Sequence, residues 1–131
     1  MIVLNRHHHK GLWPPHHYYV GRPGRIAREE TGRGAVDATI LGNPFTLGDH
    51  GEDAVELYRR HLFDALRQPE VRELLLAMPP EAALVCSCSP RPCHGEVIAT
   101  AWEWLFRRHR RMRQVVRLTE FTGGGLKHRS V

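Results

Sequence analysis

Hydrophobic residues in this chain fall into short clusters typical of strands and longer runs spaced as on one face of a helix. Residues 2–4 are apolar, and residues 17–20 are aromatic and β-branched, a composition that favours strands. Residues 82–86 are apolar throughout, as expected for a strand that is buried on both faces of a parallel sheet. We therefore predict strands in these three segments.

Three longer segments are predicted to form helices. In residues 52–66 and 94–110 the apolar positions recur every three or four residues, so that they share one helix face. Residues 69–78 form a third predicted helix, which starts at Pro69 and is stopped by Pro79 and Pro80, because proline is tolerated only in the first turn of a helix.

The remaining segments have weaker patterns. Residues 24–41 mix glycine with scattered charges, which predicts a long loop with one helical turn at residues 26–30. In residues 115–121 apolar and polar positions alternate in part, which predicts an edge strand. Strands that interleave with helices indicate an α/β fold with a mainly parallel central sheet flanked by helices, Rossmann-like in outline. We predict one such domain over residues 1–110 and a basic C-terminal extension over residues 111–131.

Composition limits the class of protein. A chain of 131 residues with 41% hydrophobic content can build one core. The sequence contains neither a run long enough to span a bilayer nor the pattern of a signal peptide, so we expect a cytoplasmic protein without membrane partners. Three cysteines, two of them one residue apart, are not a disulfide framework and favour reduced thiols or metal ligands.

The net charge of +5 is concentrated at the C-terminal end. Residues 107–131 hold eight basic residues and one acidic residue. Such a stretch can neutralise the phosphates of a nucleic acid, although a solvated helix end is an alternative interpretation. The residues predicted to contact nucleic acid are Arg107, Arg108, Arg110, Arg111 and Arg113.

All three cysteines lie between the last predicted strand and the last predicted helix. Cys86, Cys88, Cys93 and His94 supply the ligand types of a zinc centre, although adjacent ligands at 93 and 94 would strain a tetrahedral site. Alternatively, a cysteine at a helix start beside a histidine and Arg91 has a stabilised thiolate. Buried thiols with a packing role are the third alternative.

Three segments carry a resemblance to a known family. They are Tyr19-Val20-Gly21-Arg22-Pro23, Gly42-Asn43-Pro44-Phe45, and the run from Cys86 to Ile98 with the pattern CxCxPxxCHGE. In this order they resemble a small family of bacterial and phage proteins classed as a domain of unknown function, in which the pattern is GRP, GNPF and CxCxPxxCHGD. The resemblance implies an α/β fold with the three segments grouped around one site.

If the segments converge, we expect a ligand pocket at the carboxyl ends of the strands. The candidate catalytic residues are Cys93, His94 and Cys86, as nucleophile or redox thiol with an acid–base partner. The candidate ligand-binding residues are Tyr19, Gly21, Arg22, Asn43, Cys88, Arg91, Gly95 and Glu96. The function hypothesis is a thiolate-dependent transferase or hydrolase that acts on a small phosphorylated or nucleotide-like ligand. The alternative is a zinc-binding module that contacts nucleic acid.

Overall fold

The protein is built on one parallel sheet. The structure, a computed structural model, describes residues 1–45, 50–51, 53–87 and 93–122, with the side chains of the last helix described to residue 112. Within these residues there are four strands: β1 (Ile2–Asn5), β2 (His17–Tyr19), β3 (Val36–Asp37) and β4 (Ala83–Cys86). They lie in the order β1-β4-β2-β3, and every pairing is parallel. The predicted α/β class is therefore confirmed, and a Rossmann-like outline is compatible with it.

Helices connect and cover the strands. Those in the described residues are α1 (Arg25–Gly32), α2 (Asp53–Ala65), α3 (Pro69–Ala77) and α4 (His94–Thr122), together with short 3₁₀ turns at Arg6–His8 and Thr39–Leu41. The predicted helices over residues 52–66 and 69–78, and the predicted helix start at residue 94, are confirmed. None of the described helices is both long enough and apolar enough to cross a membrane.

Each face of the sheet has its own apolar cluster, because successive strand residues point to opposite faces. On one face, Leu84 and Cys86 pack in a large cluster with residues of α2, α3 and α4. On the other face, Tyr19 and Val85 pack with Trp13 and with residues in and after α1. Helices thus cover both faces, as a parallel sheet requires.

The segment 24–41 differs from the predicted long loop. It contains α1, β3 and the Thr39–Leu41 turn. The predicted helical turn at residues 26–30 lies within α1. The full length of α1 and the strand β3 were not predicted, because α1 is only eight residues long and β3 only two, too short for a sustained hydrophobic period.

The predicted edge strand over residues 115–121 is wrong. Helix α4 runs without a break for 29 residues, to Thr122, and the predicted domain boundary at residue 110 falls inside it. Extending an existing helix adds a hydrogen bond for each residue that is fixed, and the sequence has neither glycine nor proline between Gly95 and Gly123. A partial alternation was therefore weaker evidence than the absence of a helix stop.

Candidate functional site

Two buried thiols lie together where β4 ends and α4 begins. Cys86 is the last residue of β4, and Cys93 immediately precedes His94, the first residue of α4. The two Sγ atoms are 2.9 Å apart, and either thiol can donate a hydrogen bond to the other. Cys86 is 0% exposed and Cys93 is 2% exposed; neither takes part in a disulfide.

His94 links this thiol pair to the end of β2. Its Nε2 atom lies 2.6 Å from the backbone oxygen of Val20. A carbonyl oxygen only accepts hydrogen bonds, so we assign the ring proton to Nε2. In the neutral ring Nδ1 is then an acceptor, and it lies 4.0 Å from the Sγ atom of Cys93. The ring is thus oriented to take a proton from Cys93.

The surroundings of His94 favour its neutral form. Burial lowers the pKa of His94 below its usual 6.5, and the positive charge of Arg22 lowers it further. The hydrogen bond to Val20 and the nearby Cys86 act in the opposite direction on this pKa. Burial is the largest of these causes, so His94 is neutral at pH 7 and can accept a proton there.

The first turn of α4 stabilises negative charge on Cys93. The backbone N–H of Gly95 donates to the Cys93 Sγ atom at 3.3 Å, and N–H groups at a helix start favour a thiolate. Gly95 also allows α4 to approach β1 closely, because a Cβ atom there would lie 2.9 Å from a methyl carbon of Val3. The same glycine therefore supplies a donor to the thiol and positions the helix.

Tyr58 of α2 closes the site from one side. Its ring packs edge-on against His94, with centroids 5.2 Å apart, and its hydroxyl donates to the backbone oxygen of Leu41 at 2.6 Å. Burial raises the pKa of Tyr58 well above its usual 10, and the charge of Cys93 raises it further. Tyr58 therefore stays protonated and fixes the position of His94.

Backbone contact joins the segment 19–23 to the segment 42–45. A Cβ atom on Gly42 would lie 2.7 Å from the carbonyl oxygen of Gly21 and 3.0 Å from that of Thr39. Only glycine permits this approach. Since Val20 also accepts the hydrogen bond from His94, the structure brings together parts of all three segments that carry the family resemblance.

The other predicted site residues differ in their burial and in their contacts. The ring of Tyr19 is buried in the cluster on the opposite sheet face, although its hydroxyl lies beside Gly21. Arg22 is exposed, and Asn43 accepts a hydrogen bond from the backbone N–H of Phe45 at 2.8 Å through its side-chain oxygen. Glu96 is exposed in the first turn of α4.

Cys88 and Arg91 lie outside the described residues, so the roles predicted for them stay predictions. In the part of the chain that the structure describes, no group of three or more histidine, cysteine, aspartate or glutamate side chains is placed to hold a metal ion. The zinc alternative therefore draws no support from this part of the chain.

Tyr58 and the Val20 carbonyl group are parts of the site that were not predicted from the sequence. Tyr58 is a polar aromatic residue on the apolar face of a predicted helix, and a buried tyrosine hydroxyl needs a partner. That signal was available in the sequence. A backbone carbonyl carries no comparable sequence signal.

A second polar cluster, also missed, lies on the opposite sheet face. The carboxylate of Glu30 is 0% exposed and accepts hydrogen bonds from Arg6 and Arg33, both at 3.0 Å, and from the indole N–H of Trp13 at 2.7 Å. His9 stacks on Trp13 with centroids 4.0 Å apart. This cluster ties α1 to the segment that follows β1.

Comparison with known protein families matches most of the chain to one family. A family described as "Domain of unknown function (DUF4326)" matches residues 4–104, a range that includes residues 19–23, 42–45 and 86–98. The chain belongs to the DUF4326 family. The expected relationship to a family of unknown function is confirmed at this level, whereas the roles of individual DUF4326 motif residues stay predictions.

A phage protein is also similar to this DUF4326 chain. It is the "Uncharacterized 12.4 kDa protein in nrdA-td intergenic region" of Enterobacteria phage T4, which is 32% identical over 56 residues. The matched residues are 43% of this chain and 52% of the phage protein, so the similarity spans about half of that relative. No solved structure matches the chain.

Proposed function

We propose that this DUF4326 protein is a thiolate-dependent transferase or hydrolase that acts on a small phosphorylated or nucleotide-like ligand. The observation that carries the proposal is the environment of Cys93. Its sulfur accepts the Gly95 N–H at a helix start and lies 4.0 Å from the Nδ1 atom of His94, whose Nε2 is held by Val20. A cysteine beside an oriented base is the arrangement used in nucleophilic catalysis.

The residues divide the proposed reaction between them. His94 takes the thiol proton of Cys93 through Nδ1, and the resulting thiolate attacks the electrophilic atom of the ligand. When the leaving group departs, the imidazolium ring returns the proton to it. His94 then takes a proton from water or an acceptor, which displaces the bound group from the Cys93 sulfur, and this proton restores the thiol. Throughout, the Nε2–H of His94 remains bonded to Val20, so the ring keeps its orientation. Cys86 donates its S–H to the Cys93 thiolate and stabilises it before the attack.

Arg22 supports an anionic ligand. It follows Gly21 directly at the carboxyl end of β2 and is exposed, and its charge reaches His94 strongly enough to lower the histidine pKa. A guanidinium group pairs with phosphate through two parallel N–H donors. Asn43 uses its side-chain oxygen within its own turn, so in the proposal it contacts the ligand through its amide NH₂ group.

The test is a turnover screen with nucleoside mono-, di- and triphosphates, dinucleotides and sugar phosphates, with products identified by mass spectrometry. Turnover by the wild-type protein that is lost in Cys93→Ser, with an unchanged circular dichroism spectrum, supports the proposal. The control is Thr100→Ser, an exposed position on the same helix, which retains turnover. Equal turnover in wild type and Cys93→Ser refutes the role of Cys93.

A second variant pair tests the ligand class. Arg22→Gln is expected to raise the KM for a phosphorylated substrate, because the ligand loses a charged partner. Arg25→Gln removes a nearby exposed arginine that already pairs with Glu29, and it leaves the KM unchanged. If the KM of Arg22→Gln equals that of Arg25→Gln and of the wild-type protein, Arg22 does not bind the ligand.

The exposed part of α4 favours nucleic-acid binding as a second candidate function. Every residue from 107 to 112 is exposed. The guanidinium carbon of Arg108 lies 5.6 Å from the ring centre of Trp104, and that of Arg110 lies 6.0 Å from the ring centre of Phe106. Cations next to aromatic rings on an exposed helix suit contacts with phosphates and bases.

The salt dependence of affinity tests this second candidate. The logarithm of the affinity falls with the logarithm of salt concentration by about 0.9 per neutralised phosphate of duplex DNA. Replacing Arg107, Arg108, Arg110 and Arg111 by glutamine should therefore reduce the slope by up to about 3.6. Replacing Arg60 and Arg67, which are exposed on and after α2, should leave it unchanged. Absence of DNA and RNA binding by the wild-type protein refutes this candidate.

A further inference from the structure

The second thiol of the site points to a redox function. We infer that Cys86 and Cys93 form a reversible disulfide when the protein meets a hydroperoxide. The two sulfurs are 2.9 Å apart, whereas a disulfide bond is about 2.0 Å long, so they need to approach by about 0.9 Å. Both residues adjoin regular structure, the end of β4 and the start of α4, and are therefore held near each other in the folded state.

Cys93 is the thiol that reacts first. The Gly95 N–H contacts the sulfur of Cys93, and His94 lies on the same side to take its proton. Peroxides react with thiolates rather than with thiols. Cys86 lies at the other side of the short S···S contact and is therefore the resolving cysteine.

Hydrogen peroxide is the probe oxidant for this site. Cys86 is 0% exposed and Cys93 is 2% exposed, and hydrogen peroxide, which is close to water in size, needs only a small opening to reach them.

The proposed chemistry proceeds in two balanced steps. The Cys93 thiolate attacks one peroxide oxygen and the O–O bond breaks, which gives a sulfenic acid on Cys93 and hydroxide, and the hydroxide takes up the former thiol proton to become water. The sulfur of Cys86 then attacks the sulfur of Cys93, an S–S bond forms, and the sulfenic hydroxyl leaves as a second water with the Cys86 proton. Two thiols are oxidised and one peroxide is reduced to two waters. An external thiol reverses the product by exchange.

The disulfide would also stop the proposed enzymatic reaction, because its nucleophile is the Cys93 thiolate. This consequence rests on the proposed function, whereas disulfide formation does not. A protein that forms the disulfide yet turns over no phosphorylated ligand would count against the enzyme proposal alone.

The test uses Cys88→Ser, which leaves Cys86 and Cys93 as the only cysteines of the chain. After treatment with hydrogen peroxide, the monomer is expected to lose two hydrogen atoms in intact mass, to resist alkylation by iodoacetamide in denaturant, and to recover both thiols with dithiothreitol. The double variant Cys86→Ala/Cys88→Ser has no thiol left to resolve the sulfenic acid, and it is expected to gain oxygen at Cys93 instead. The inference is overturned if both thiols of Cys88→Ser remain open to alkylation, or if this variant gains oxygen without forming the disulfide. It is also overturned if a disulfide forms only when Cys88 is present.

Discussion

Replacing Gly42 by alanine tests whether the close contact between Gly42 and Gly21 constrains the fold. The φ and ψ angles of Gly42 are −65° and 150°, which alanine adopts without strain. The added methyl group would nevertheless lie 2.7 Å from the carbonyl oxygen of Gly21 and 3.0 Å from that of Thr39. Both obstacles are backbone atoms and cannot rotate away. Separating them by several tenths of an ångström costs about 1–3 kcal/mol, as for other overpacked sites.

The matched control is Gly32→Ala at the end of α1, where an added Cβ meets nothing within 4 Å. Alanine is the better helix former, so this change should leave the protein unaffected or stabilise it by up to about 1 kcal/mol. Equilibrium unfolding in guanidinium chloride gives both free energies. The reasoning is refuted if Gly42→Ala is as stable as Gly32→Ala, because the Gly21 contact would then carry no constraint.

Three further predictions concern buried polar groups, each measured by the free energy of unfolding. Glu30→Gln should lower the free energy of unfolding by about 3 kcal/mol, because two arginines lose a buried negatively charged partner. The control Glu29→Gln, at a half-exposed position, should lower it by less than about 0.5 kcal/mol. Equal losses of stability in the two variants would contradict this account. Tyr58→Phe should cost about 1–2 kcal/mol, since the Leu41 carbonyl loses its donor. The pKa of His94 is lowered in the folded state, so the unfolded chain binds more protons and stability should fall as the pH drops below 6.5. His94→Gln should flatten that part of the pH profile, and an unchanged profile would show that His94 does not cause it.

Local patterns were sufficient for much of the fold. The apolar run of β4, the spacing of α2 and the proline at the start of α3 each specify an element within a few residues. The two-residue β3 was missed because it is a strand only through its pairing with β2. The end of α4 differs from the prediction because residues 115–121 alternate only in part, and no glycine or proline stops the helix before Gly123.

The candidate site, too, could be predicted only in part from the sequence. The cysteine run and His94 are contiguous enough to be noticed in the sequence, and their position at a strand-to-helix junction followed from the flanking patterns. The hydrogen bond from His94 to Val20 spans 74 positions, and its acceptor is a backbone atom that every residue possesses. Such a partner becomes visible only when the order of strands places β2 beside β4.

The same hydrogen bond has a consequence for the synthesis of the protein. Val20 leaves the ribosome early, and all of α1, β3, α2, α3 and β4 must follow before His94 is made. Until then the thiol of Cys86 has neither Cys93 nor the imidazole beside it. A nascent chain that ends at Cys86 therefore already contains the residues of α1, α2, α3 and the four described strands, yet it lacks Cys93, His94 and the Gly95 N–H. The groups proposed to activate the Cys93 thiol are synthesised only after the residues of the described sheet.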